Sequence, residues 1–156
     1  MDKHGHDEVR SQRCGERGDA AAIRDLAGRR FCWLTGLTKQ TRPEKWYGDW
    51  WLQVAHLGSG SGSMYRVNDR RAVVLLCPLA HECHIANSVR IPEKKVNGKV
   101  YPTIDASHLI WLKSIMDSEY YDPEFLERIW VGKPPEPQRP PQFWLNMLFE
   151  NTGLEL

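Results

Sequence analysis

Between residues 56 and 84 the chain carries three histidines (His56, His81, His84), an amide–carboxylate pair at Asn68-Asp69, and two cysteines, Cys77 and Cys83. A neutral imidazole accepts a proton near neutral pH and ligates divalent metals, and a hydrogen-bonding neighbour fixes its orientation. Such a set suits in-line hydrolysis of a phosphodiester. One His takes the proton of the attacking water, and a cation held by the others stabilises charge on the phosphate and the leaving oxygen. His81 and His84 stand three apart, a spacing that predicts projection from one helical face and a shared metal. Singly, each residue has a plainer role: a half-buried structural His, an Asn-Asp turn, a solvated helix face. Their order along the chain favours chemistry.

The elements that must position them are readable. Residues 49–56, aromatic and β-branched, predict a strand ending on His56. Residues 58–63 alternate Gly and Ser and predict a flexible loop. Residues 72–77 predict a second strand, and Pro78 then suits the opening of a helix over 79–87. Asn97-Gly98, between residues 96 and 101, signals a tight hairpin turn. Asp105 opens an amphipathic helix with Leu109, Leu112 and Met116 in one stripe, widened by Ile110 and Trp111; His108 near its start reads as a surface residue. Asp122-Pro123-Glu124 is a cap, an N1 proline and a first-turn acid, starting a helix over 125–130. Residues 1–18 read as a disordered arm, and Asp19 can cap a short helix over 20–26. Residues 19–131 form the predicted domain. Residues 132–142 form a stiff Pro-rich linker, and the aromatic tail at 143–156 is expected to dock on the domain or on a protein partner.

With 156 residues, 41% hydrophobic and 26% charged, the chain suits one ordinary globular domain. No apolar run approaches the ~20 residues of a spanning helix, so no membrane partner is expected. The polar N-terminus has no apolar core of a signal peptide, which predicts a cytoplasmic protein. Four cysteines there point to free thiols or metal ligation. A net charge of +1 does not announce a nucleic-acid partner, so any phosphate contacts must be local. Arg66, Arg70 and Arg71 around Asn68-Asp69, and Arg90, Lys94, Lys95 and Lys99 further on, are the candidates.

The run Val54-Ala55-His56-Leu57, then Asn68-Asp69, then Leu75-Leu76-Cys77-Pro78-Leu79-Ala80-His81-Glu82-Cys83-His84 resembles the motif of HNH (ββα-metal, His-Me finger) nucleases, over residues 30–88. The resemblance implies an α+β fold, a small ββα-metal core with added C-terminal helices. It makes His56 the general base, oriented by Asn68, and has His81 bind one divalent metal (Mg²⁺, Mn²⁺, Ni²⁺ or Zn²⁺), which His84 and Asp69 are expected to help hold together with water. DNA is the implied substrate. The likeness is to small phage-associated members, which implies the cytoplasm of a bacterial or phage-infected cell.

Two departures stand out. Cys32-Trp33-Leu34-Thr35 and Cys77-Pro78-Leu79-Ala80 look like Cys-x-x-Cys pairs that each lost the second member. Cys32 and Cys77 thus read as remnants of a zinc site, and structural zinc is not expected. Ala55 stands where many members place an acidic or His ligand. Three readings follow: a metal-dependent endonuclease; a non-catalytic nucleic-acid-binding or recombination-accessory protein; and a zinc-binding interaction module using Cys77, His81, Cys83 and His84. The module ranks last, because Cys83 and His84 would point to different sides of a helix.

Overall fold

The computed structural model describes residues 31–38, 52–57, 69–85 and 91–154. The predicted arm and first helix, the Gly-Ser loop, Arg66, Asn68 and Arg90 lie outside these residues. The described chain is α+β, with two two-stranded antiparallel sheets and four α-helices.

Strand β1 (Gln53–His56) pairs with β2 (Val73–Leu76), from Gln53 opposite Leu76 to His56 opposite Val73. All four β2 residues are buried, as a continuous apolar run requires cover on both faces. The Trp33 N–H donates to the Leu75 carbonyl at 2.9 Å, tying the Cys32 segment to β2. The predicted strand at 72–77 is trimmed at both ends. Ala72 closes a 3-10 turn, Arg70–Ala72, capped by the Asp69 carboxylate. Cys77 becomes the N-cap of helix α1 (Pro78–Glu82), where Pro78 costs nothing because its missing N–H would be unpaired there.

Helix α1 is shorter than the predicted 79–87. Cys83 is its C-cap, and the backbone then turns to pair with residue 104. The Ile104 N–H donates to Cys83 O, and the Ile85 N–H donates to Ile104 O. These bonds satisfy the polar groups a longer helix would have used, so His84 lies outside the helix that carries His81.

Strands β3 (Glu93–Val96) and β4 (Lys99–Pro102) form the second hairpin. Asn97 and Gly98 between them have φ of 51° and 84°, the two left-handed residues of the turn that matches strand twist.

Helix α2 (Ala106–Met116) buries Leu109, Ile110, Leu112 and Met116, while Trp111 is only partly covered. Lys113 is also fully buried, against the amphipathic pattern. Helix α3 (Pro123–Ile129) starts as expected, with Asp122 accepting from Phe125 N–H at 3.1 Å, and stops with Trp130 as its C-cap.

Residues 132–142 are strapped to α2: Gln138 N–H donates to Ser107 O at 3.1 Å, and Ser107 Oγ lies 3.2 Å from Gln138 Oε1. The tail docks on the domain itself as helix α4 (Gln142–Thr152), burying Trp144, Leu145 and Leu148. Together with Trp33, Leu75, Leu76, Leu109 and Leu112 these side chains make one core. Each large apolar side chain contributes about 1.5–3 kcal/mol on burial. That core supports a β1–β2 pair which two strands alone could not stabilise in water. No helix among the described residues is long and apolar enough to cross a membrane.

Candidate functional site

The His81 ring leaves the last turn of α1 toward β1, and its Nδ1 lies 2.6 Å from Gln53 Oε1. An amide oxygen only accepts, so Nδ1 carries the proton and Nε2 presents a lone pair. Burial holds the ring below the ordinary histidine range, against the pull of the Glu82 carboxylate. Strand alternation puts Gln53 and Ala55 on one face of β1 and His56 on the other. Ala55 is fully buried on the Gln53 side. His56 is half-buried at the strand end, with its Nε2 shielded from solvent.

His84 faces a crowded interior. Its Nε2 is buried with no hydrogen-bond partner among the described residues. Burial, and then the neighbouring His81 and His108 rings, push its pKa down to about 4 against the attraction of Asp105. His108 is not the surface residue expected, because its side chain is only 13% exposed. Asp105 Oδ1 accepts from Ser107 N–H at 2.9 Å, and His108 Nδ1 accepts from Asp105 N–H at 3.0 Å, a reciprocal cap at the start of α2. The Asp-x-x-His spacing was the available signal, since it follows the capping-box pattern with His in place of Glu. His81, His84, His108 and Asp105 are thus electrostatic neighbours, although the first two and the last two belong to different elements.

The basic residues before β2 have other work. Arg70 grips Asp117 with two bonds, Nε–Oδ2 at 2.9 Å and Nη2–Oδ1 at 2.7 Å, and its guanidinium lies 3.9 Å from the Tyr120 ring centroid. The same carboxylate receives the buried Lys113 ammonium at 2.8 Å, and Lys113 also donates to the Arg70 carbonyl. Burial opposes ionisation of Asp117, but these cations outweigh it and lower its pKa. Arg71 is held by Asp69 through bonds of 3.0 and 2.8 Å and lies 3.7 Å over the Phe125 ring. Asp69 therefore caps a turn and neutralises Arg71, and the structure does not bring it to His81 and His84.

Cys32 and Cys77 are both fully buried, joined through Thr35. The Thr35 N–H donates to Cys32 Sγ at 3.3 Å, and Thr35 Oγ1 lies 3.8 Å from Cys77 Sγ. Burial disfavours thiolate at both sulfurs. At Cys32 the bonds from Cys77 and Thr35 overcome that and lower the pKa, while Cys77, bonded to Cys32, is driven up. Among the described residues, no three His, Cys, Asp or Glu side chains are arranged to hold a metal ion. The four-ligand set Cys77, His81, Cys83 and His84 is accordingly not assembled.

Lys94, from the second hairpin, donates to the Glu82 carbonyl at 3.0 Å and lies 3.1 Å from its carboxylate. The hairpin therefore borders the end of α1 beside the histidines. In comparisons with known proteins, no family model, curated protein or solved structure matches the chain.

Proposed function

We propose that the chain is a metal-dependent endonuclease of HNH type that hydrolyses DNA phosphodiester bonds, with β1, β2 and α1 as a small ββα-metal core. The His81–Gln53 hydrogen bond carries this reading. Metal-binding histidines usually donate their second ring N–H to an outer partner that fixes the tautomer and orients the other nitrogen. Gln53 occupies that place, leaving His81 Nε2 as the donor. His84, with its unpartnered buried Nε2, is the second nitrogen.

Two imidazoles suit Zn²⁺ or Ni²⁺ better than Mg²⁺ or Mn²⁺, which prefer oxygen ligands. A cation held there supplies the charge stabilisation that phosphoryl chemistry needs. In this reading His56, at the strand end on the face of β1 away from Gln53, would accept the proton of a water that reaches the strand end from that side. Asn68 in the resembled motif orients that ring and lies outside the described residues. A cytoplasmic place in a bacterial or phage-infected cell goes with this reading.

A second reading, a non-catalytic nucleic-acid-binding or recombination-accessory protein, draws on a specific observation. The carboxylate of Asp69 is engaged by Arg71, and Ala55 supplies no ligand on the Gln53 face. Cleavage of supercoiled plasmid with Mg²⁺, Mn²⁺, Ni²⁺ or Zn²⁺ separates the two. The nuclease reading expects metal-dependent nicking by the wild type, lost in His56→Ala and in His81→Ala. No nicking with any metal selects the second reading, and nicking that survives both substitutions removes the proposed site.

A further inference from the structure

The hairpin β3–β4 lies outside the core, touches it through Val96 and Tyr101, and is fixed at its base. Tyr101 stacks on Trp144 with ring centroids 5.8 Å apart. The Trp144 indole N–H donates to Pro102 O at 3.0 Å, and Thr103 N–H donates to Pro92 O at 3.0 Å. Beyond that base the ribbon is exposed almost throughout. From residue 94 to residue 100 it carries three lysines and no acid. Lys94 is paired with Glu82. The side chains of Lys95 and Lys99 make no ion pair or hydrogen bond among the described residues.

Its surroundings carry the opposite charge. Residues 104–154 hold eight carboxylate side chains against four Lys and Arg. Arg70 and Arg71, in the turn that leads into the other sheet, are already neutralised by Asp117 and Asp69. The tip therefore carries two exposed lysines, Lys95 and Lys99, that no acid among the described residues neutralises.

We infer that this hairpin is a nucleic-acid arm, a preorganised two-stranded ribbon whose Lys95 and Lys99, on its opposite faces, reach the phosphates on either side of a groove of duplex DNA. The major groove admits a two-stranded ribbon, and a ribbon fixed at its base loses little conformational freedom on binding. The arm also leads to the candidate site: Ile104, two residues past β4, pairs with His84. This extends the endonuclease reading by naming the surface that brings duplex to the histidines, and it is measurable without cleavage.

The test is fluorescence anisotropy of a short labelled duplex with the full chain, in chelator and without divalent metal, across a salt series. Each phosphate contact contributes about −0.9 to the log–log salt slope. Lys95→Gln with Lys99→Gln should therefore flatten the slope by about two. The affinity lost between about 50 and 200 mM salt then shrinks roughly tenfold relative to wild type. Lys133→Gln, an exposed lysine elsewhere, should leave the slope at most one contact shallower. An unchanged slope in the double variant, no duplex binding by wild type at low salt, or equal competition by polyglutamate would each overturn the inference. Lost cleavage with this salt response intact would count against the nuclease reading alone. Cleavage with an unchanged slope in the double variant would count against the arm alone.

Discussion

The two sheets are the same size, two antiparallel strands of four residues each, and they have opposite fates. Val73-Val74-Leu75-Leu76 vanishes into the core, while Glu93-Lys94-Lys95-Val96 stays in solvent. The first pair is joined by a long connection and exists because helices and the Trp33 segment cover it. The second is closed by a two-residue turn and is specified largely by its own local chemistry. Cations follow the same division. Around the first sheet, Arg70 and Lys113 are drawn inside and must share Asp117. On the second, Lys95 and Lys99 stay in solvent with no ion pair among the described residues. Equal secondary structure thus serves as core in one place and as appendage in the other.

The largest effect that would sharpen this contrast is expected at Asp117. Its carboxylate is the shared partner of a fully buried Lys113 and a largely buried Arg70. Removing one member of such a group leaves charge buried without compensation, which costs about 3–5 kcal/mol. Asp117→Ala should therefore lose that much stability in a urea titration, with the cost felt at the first sheet through Arg70 and the turn into β2. A loss below about 1 kcal/mol, the range of exposed ion pairs, would show that the clamp is no more integral than the Lys94–Glu82 contact.

That clamp also marks where the sequence stops being readable. The hairpin turn, the Asp105 and Asp122 caps and the apolar run of β2 follow from local chemistry: φ preferences, side-chain caps and hydrophobic patterning. Lys113 in an apolar stripe does not follow, because its burial depends on Asp117, one turn on at the end of the same helix, being shared with Arg70 from a distant turn. The end of α1 was misread for a related reason. Nothing local stops a helix at Glu82, and the backbone leaves it to bond residue 104, far along the chain. The candidate site shares this limit. His81 was visible, but its partner Gln53 is fixed only by strand register, and the Asp105–His108 cap beside His84 was passed over because His stands where Glu is usual.

The next effect in size is pH-dependent and tests whether the histidines belong to the buried region. His84 in the unfolded chain takes a proton near its ordinary value of 6.5, and in the fold only near 4. Between those values the unfolded state binds more protons, so stability rises with pH. The contribution of the neutral ring is therefore complete above about pH 6.5 and lost as pH falls toward 4, on the order of 3 kcal/mol in all. His81 and His108 are shifted in the same direction by burial, so a single variant must isolate one ring. Across several values from pH 7 to 4.5, the urea midpoint of wild type should fall relative to that of His84→Leu. Parallel curves would mean that His84 is as solvated as the second hairpin.

The smallest effect lies at the hairpin turn and asks whether the two regions melt together. Gly98 has a φ of 84°, and a Cβ there would meet nothing within 4 Å, so Gly98→Ala pays only the left-handed backbone penalty, about 1–2 kcal/mol. Gly36 has nearly the same φ, 76°, yet its Cβ would sit 2.9 Å from both Asn151 Cβ and Thr152 Cγ2, where α4 closes over the Cys32 segment. There the same substitution adds overpacking to the backbone cost. If the hairpin is an appendage, Gly98→Ala should speed amide exchange about tenfold in residues 94–101 and leave the global midpoint in place, because local opening does not require the core to unfold. Gly36→Ala should instead lower the global midpoint. A global loss from Gly98→Ala as large as that from Gly36→Ala would make both sheets one cooperative unit, and the arm would then be held by the core rather than standing beside it.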